Sequence, residues 1–196
     1  MIHYLIESGH SGVAFGRFYR TPGKRSPKVP PGVYEGEFNR GVAEQVVRIL
    51  REDYNIPAEH LTPGPMWPRL VDRAEYTNWL AGEIKKEGNE LAAVSIHANA
   101  DGNDGWTDTN FSRIFHAARA SSKSIQMARG MTDAFRRQLG STRDPGILNT
   151  TMLTKTVCPA ILIECRHMTH KSEAKFMATG AGRLMYAYLI AGELAK

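Results

Sequence analysis

Leu91-Ala92-Ala93-Val94-Ser95-Ile96 is a short apolar run that ends at His97 and runs into a stretch rich in Gly, Asp and Asn. It is too short for a typical helix and nearly free of polar residues, so it reads as a central strand buried on both faces. Its flanks are helical. Upstream, Leu70, Ala74, Thr77, Ala81 and Ile84 recur at intervals that place them along one side of a helix, and Gly88 is suited to close it. Downstream, Ile125, Ala128, Thr132, Phe135 and Leu139 do the same. A buried strand between two amphipathic helices is the repeating unit of an α/β sheet with helical crossovers.

Working outward, Ile2 to Ile6 reads as a first strand, followed by a long Gly/Pro/Arg-rich loop ending at Pro30-Pro31-Gly32. A helix then starts near Tyr34 with Phe38, Val42, Val46, Ile49 and Leu50 on its apolar stripe. Ser112 to Phe115 is a weaker strand, Gly140 to Asn149 a loop, Thr151 to Lys155 a candidate strand, Ala160 to Ile163 a clear one, and Gly182 to Leu194 the last helix. With 196 residues at 42% hydrophobic content, the chain can bury one full core and little more. The expectation is a single α/β domain over residues 1–196: a mostly parallel twisted sheet of about six strands with helices on both faces.

Composition narrows the function classes. A formal charge of +5 and a pI near 9.3 favour anionic partners without choosing among nucleic acid, membrane surface and other polymers. The one local cluster, Arg17, Arg20, Lys24, Arg25 and Lys28, reads as a solvated loop. Cys158 and Cys165 are too few and too close together for a secreted disulfide framework and are expected as free, buried thiols. The start Met1-Ile2-His3-Tyr4-Leu5-Ile6 lacks a basic region and a cleavage site, so no signal peptide is expected, and no apolar run is long enough to cross a bilayer.

The chemistry gathers where strands end. His10 follows the first strand, His97 ends the central one and Glu164 ends Ile161-Leu162-Ile163. Ligands of open α/β sheets bind outside the carboxyl ends of the strands, so these three groups are placed to converge. Glu35, opening the first helix, joins them if the long loop folds back, and the helix dipole favours a carboxylate there. Two imidazoles and one carboxylate form a common catalytic zinc set with an open fourth position, whereas structural zinc sites are rich in cysteine. A carboxylate outside the ligand set is then needed to move the proton of the attacking water, and Glu164 is the candidate. By spacing alone, histidines near strand ends are also ordinary hydrogen-bonded residues.

Four segments are more specific: Glu7-Ser8-Gly9-His10-Ser11-Gly12, Glu35-Gly36-Glu37-Phe38-Asn39, Ser95-Ile96-His97-Ala98-Asn99-Ala100 and Pro159-Ala160-Ile161-Leu162-Ile163-Glu164. In this order they resemble the motifs of zinc-dependent N-acetylmuramoyl-L-alanine amidases, the compact catalytic domains of phage lysins and bacterial cell-wall enzymes. The resemblance runs from the first strand to the last helix. It implies that His10, Glu35 and His97 bind Zn2+ and that Glu164 is catalytic. Glu35 is preferred to Glu37 because Phe38, Asn39, Val42 and Val46 then fall at the pattern's apolar, asparagine and apolar positions, whereas Glu37 would put Arg40 and Gly41 there.

Arg73 and Asn78 resemble an arginine and an asparagine of the family's second helix, and Asn99 is a candidate to orient His97 or a substrate group, with capping and packing as the alternative. The chain departs from the pattern after Glu164, where His167 and His170 stand near the family's aromatic and asparagine positions. His167 is a candidate to contact peptide or steady a tetrahedral intermediate, against a plain surface role. Glu7 stands where relatives often have Asp and is not a ligand in the pattern. His3, His60 and His116 have no partner by spacing.

The resemblance implies that peptidoglycan is the substrate, cut between N-acetylmuramic acid and L-alanine. The further expectations are no nucleic acid, no membrane insertion, no separate wall-binding domain, and an oligomeric state left open with a monomer favoured. The protein would be made in the cytoplasm and reach the wall after release by another agent, as a phage lysin does; a bacterial enzyme with an unusual export route would look similar. The rivals are a zinc carboxypeptidase-like peptide hydrolase and, from another class, a basic module that binds cell wall or nucleic acid without catalysis.

Overall fold

The computed structural model describes residues 1–10, 25–64, 68–102 and 105–196, together with the backbone of two short strands at 13–14 and 17–18. In chain order the elements are β1 (Ile2–Ser8), β2 (Val13–Ala14), β3 (Arg17–Phe18), α1 (Glu35–Glu52), β4 (Ala58–His60), α2 (Leu70–Lys86), β5 (Glu90–Asn99), β6 (Arg113–His116), α3 (Ser122–Leu139), β7 (Gly146–Ile147), α4 (Thr151–Thr154), β8 (Ala160–His167), α5 (Lys171–Met177) and α6 (Gly180–Leu194). Six strands form one sheet in the order β4-β1-β5-β8-β6-β7, and β2 pairs with β3 in a separate antiparallel ribbon. β4, β1, β5 and β8 run parallel, β6 runs antiparallel to β8, and β7 follows the direction of β6. This is the single-domain α/β architecture read from the sequence, with β6 reversing the direction of the outer part of the sheet.

Because side chains alternate across a strand, each strand feeds two different layers. On one face Ile6, Val94, Ile96, Ile161 and Ile163 meet Phe38, Val42 and Val46 of α1, Met131 and Phe135 of α3, and Tyr186 and Ile190 of α6, forming the main core. Full burial of an aliphatic or aromatic side chain of this kind contributes about 1.5–3 kcal/mol. On the other face Leu5 and Leu91 pack against Leu80 and Ile84 of α2, while Ala93, Ala160 and Leu162 pack against Leu153 of α4. That second cover reaches only the lower part of the strands, and the next residues up on this face are polar: Glu7, Ser95, His97 and Glu164.

Several boundaries differ from the sequence reading. Thr151 to Lys155 is not a strand but the short helix α4; Met152 and Leu153 are both buried, which consecutive residues of a strand facing one core cannot be, and the threonines are tolerated because α4 is a single turn. The expected loop 140–149 contains β7, a two-residue strand that exists only through its pairing with Phe115 and His116. β5 continues past His97 to Asn99 and β8 past Glu164 to His167, so both candidate residues lie within strands rather than at their ends. Between His97 and Asn99 the register slips, as at a bulge. β4 and α5 were not read from the sequence, and α6 begins two residues earlier than expected, with the Thr179 hydroxyl accepting from Gly182 N. Gly88 closes α2 with φ 77°, as its position suggests. Of the basic cluster, Arg25 and Lys28 are exposed, while the side chains of Arg17, Arg20 and Lys24 lie outside the described residues, as do Ser11 and Gly12. Among the described residues, no helix is long and apolar enough to cross a membrane.

Candidate functional site

The register of the sheet aligns the site. Gly9 N donates to Ile96 O (2.9 Å), extending β1 by one residue and setting Gly9 beside His97. His97 pairs with Glu164 across β5 and β8, and Glu164 pairs with Arg113 across β8 and β6. Neighbours in register point to the same side of a sheet, about 4.8 Å apart. Gly9, His97, Glu164 and Arg113 thus form one line across four strands on the face that α2 and α4 leave partly open. The absence of a side chain at Gly9 is required: a Cβ there would lie 2.0 Å from His97 Cε1 and 2.2 Å from Nε2.

Immediately after Gly9 the chain turns sharply. His10 has φ 62°, a left-handed conformation that costs a non-glycine residue about 1–2 kcal/mol. The turn is held from α1, where Asn39 Nδ2 donates to Gly9 O (2.8 Å). Asn39 lies one helical turn after Glu35, so the same face of α1 grips the loop and presents the carboxylate. Glu35 is buried at the first position of α1, with Oε2 3.4 Å from His10 Nε2 and Oε1 3.0 Å from His97 Nδ1; Ala98 N donates to Oε1 at 3.4 Å. The two imidazoles meet edge to face, centroids 5.1 Å apart. One donor atom from each of His10, Glu35 and His97 falls within 4.8 Å of the others.

Electrostatics separates the two histidines. Burial pushes the His10 imidazole below its ordinary value, and the neighbouring His97 adds to this against the pull of Glu35. Burial also opposes charge on His97, but its hydrogen bond to the Glu35 carboxylate and the charges of Glu164, Glu35 and Glu7 outweigh it and carry that pKa up to about 9. The cluster therefore favours one positive charge between its donors. A divalent cation provides that charge without a proton. Tetrahedral zinc with bonds of about 2.0–2.2 Å needs donors roughly 3.3–3.6 Å apart, and the 3.4 Å between His10 Nε2 and Glu35 Oε2 matches. Two imidazoles, one carboxylate and no thiolate are the donor chemistry of a catalytic rather than a structural zinc site.

Glu164 is outside this donor group and next to it, as a proton-handling carboxylate has to be. Glu37, the alternative to Glu35, is also outside it. Behind the donors, Glu7 and Arg73 form a buried ion pair, and Arg73 Nε donates to Pro68 O (3.2 Å), fixing the start of α2 against β1. Asn78 takes Lys155 O and Val157 N at 2.8 Å each, clamping the turn that feeds β8. Asn99 uses its Oδ1 to accept from Ala100 N (2.8 Å), a local cap. His167 is buried, its ring 4.4 Å from that of Phe111 and Nε2 3.7 Å from Asp101, so it packs as an aromatic would and ties Asp101 and Phe111 to β8. His170 occupies the position before α5 without a side-chain bond to the helix backbone, its Nδ1 3.2 Å from Ser172 Oγ. His60 Nε2 lies 3.2 Å from Ser8 Oγ, and His116 Nδ1 lies 2.9 Å from Ala117 O. Both cysteines are free thiols, Cys165 buried and Cys158 partly so.

The sequence model of the N-acetylmuramoyl-L-alanine amidase family matches residues 5–196, from the middle of β1 to the last residue, spanning all four site positions. The chain belongs to this family. Cell-wall amide hydrolysis is accordingly its activity, with peptidoglycan as the material acted on. Among solved structures, an N-acetylmuramoyl-L-alanine amidase from Clostridium difficile 630 superposes with a TM-score of 0.79 at 23% identity, covering 98% of this chain and 94% of that one. The catalytic domain of the amidase CwlV from Bacillus (Paenibacillus) polymyxa var. colistinus gives 0.78 at 22% identity, with 99% and 96% covered. The catalytic domain of an endolysin targeting Clostridia difficile gives 0.65 at 16% identity, with 98% and 96% covered. At these identities the likeness is one of fold. Comparison with curated proteins found no match.

Proposed function

We infer that this amidase is zinc-dependent, that His10, Glu35 and His97 hold the ion, and that Glu164 moves the proton in cleavage of the bond between the lactyl carbonyl of N-acetylmuramic acid and the amino group of L-alanine. The observation that carries this is the convergence of three donors from β1, α1 and β5 with a fourth carboxylate in register beside His97. When bound, zinc supplies positive charge that acidifies water and polarises the carbonyl. Glu35 and the Gly9–His10 turn fix where that charge sits. Glu164 accepts a proton from the attacking water as the new C–O bond forms, then delivers it to the nitrogen as the C–N bond breaks. The left-handed His10 and the side-chain-free Gly9 let the two imidazoles face one point.

Glu164→Gln is expected to bind zinc as the parent does and to lose about 100- to 10,000-fold in turnover of purified peptidoglycan. Near-normal turnover would overturn the role given to Glu164. Mass spectrometry of the digest separates the reactions: stem peptides with free L-alanine amino ends fit the amidase, while stems shortened at their carboxyl ends fit a carboxypeptidase. We further propose that the protein reaches the wall after release by a separate membrane-disrupting agent, as an endolysin. Added externally to intact cells, it should lyse them only when their outer barrier is permeabilised.

A further inference from the structure

Arg113 is the fourth member of the line across the sheet, and neither the metal nor the proton transfer uses it. It stands next to Glu164, on the side away from His10 and Glu35. Its guanidinium carbon lies 5.1 Å from the centre of the Phe115 ring, within cation–π range, and its Nε passes over Gly146 of β7, where an added Cβ would lie 2.7 Å from it. The arm is therefore held in place before any substrate arrives. Nε is buried with no hydrogen-bond partner among the described residues, and none of the ion pairs among them includes Arg113. A pre-ordered, partly buried arginine with no acidic partner on the face that does the chemistry is a binding group for an anion.

The direction of the reaction says which anion. Glu164 gives its proton to the departing nitrogen, so the peptide half of the substrate leaves over Glu164, and the next strand in that direction is β6. Adjacent strands are about 4.8 Å apart and an extended residue spans about 3.3 Å, so Arg113 comes level with the peptide about two residues beyond the scissile nitrogen. We propose that Arg113 is a specificity residue that binds a free carboxylate on the second residue of the stem peptide and so selects stems carrying that carboxylate over those in which it is a carboxamide. This rests on the amidase reading above.

The test uses two N-acetylmuramoyl dipeptides that differ only in whether the second residue presents a carboxylate or a carboxamide. The parent protein should cleave the carboxylate form with a kcat/KM about tenfold or more above the carboxamide form, the size expected for one charge-assisted hydrogen bond. Arg113→Gln should lose that factor on the carboxylate substrate, mainly through KM, and stay within about twofold of the parent on the carboxamide; Arg113→Lys should keep part of the preference. The carboxamide substrate doubles as the control for folding. An equal fall on both substrates, or a parent protein indifferent to the carboxylate, would overturn the proposal. If the zinc-loaded parent cleaves neither compound and releases no stem peptide from peptidoglycan, the amidase reading itself fails and Arg113 falls with it.

Discussion

Replacing Gly9 with Ala tests whether the proposed zinc site depends on a missing side chain. The added Cβ would sit 2.0 Å from His97 Cε1, 2.2 Å from Nε2 and 2.4 Å from Nδ1, against an ordinary contact of 3.4 Å or more. To restore that contact the ring must retreat by about 1.4 Å, the difference between 3.4 and 2.0 Å. Metal–ligand distances tolerate about ±0.2 Å. The ring cannot absorb the push by tilting in place, because Nδ1 is 3.0 Å from Glu35 Oε1 and Glu35 is fixed at the start of α1. His97 should be lost as a ligand, lowering zinc affinity by at least about 100-fold, while overpacking costs the metal-free fold about 1–3 kcal/mol. Competition with a chromophoric chelator measures the first and urea unfolding in chelator the second. Gly82→Ala, in α2 with nothing within 4 Å of the new atom, is the control and should leave zinc binding untouched. Zinc affinity in Gly9→Ala within about twofold of the parent would refute the packing of His97 on Gly9 as the basis of the site.

Three further outcomes follow from other parts of the molecule. Glu35→Gln should reduce bound zinc at dialysis equilibrium by an order of magnitude or more, whereas Glu37→Gln should leave it unchanged, and metal loss confined to Glu37→Gln would reverse the assignment. Burial lowers the His60 pKa to about 4. The unfolded chain then binds a proton below about pH 6.5 that the folded chain refuses until about 4, so this contribution to stability is full above 6.5 and is lost as pH falls towards 4. His60→Gln should flatten the pH dependence of the melting temperature across that window by the equivalent of about 3 kcal/mol. Arg73→Met leaves Glu7 buried without its cation and should cost about 3–5 kcal/mol in urea titration, with the added Glu7→Gln change recovering part of the loss.

How much of this was legible in the sequence depends on how locally each element is determined. The stripes of α1, α2 and α3 and the runs that became β1, β5 and β8 carry their burial pattern in consecutive residues, so periodicity finds them. β4 and β7 do not: with three and two residues, they are strands only because Tyr4–Ile6 and Phe115–His116 lie alongside. Thr151 to Lys155 misled through β-branched threonines, because the pairing of Met152 and Leu153 in one buried turn is a tertiary fact. The proposed donors drew notice as residue types, His10 and His97 after apolar strand runs and Glu35 at the start of a helix. That Glu35 would reach His97 across 62 positions was legible only through family resemblance, since no local rule says the start of α1 docks beside β5. Arg113 carried no signal at all, because its place in line with His97 and Glu164 exists only once β6 pairs antiparallel with β8. His167 was left between a cleft role and a plain surface one, and its burial is something sequence position does not reveal.

The three donors come from parts of the chain that cannot meet until the parallel pairing of β1 with β5 is in place and α1 has docked over it. The apolar layer that drives this assembly contains none of the three. On the zinc reading proposed above, construction would precede capture: the ion would enter a socket already shaped by the hydrophobic framework and could be withdrawn from it again. Prolonged chelation should silence the enzyme while leaving its far-ultraviolet dichroism intact, and returning metal should revive it without refolding, so that metal supply alone acts as a reversible on–off control.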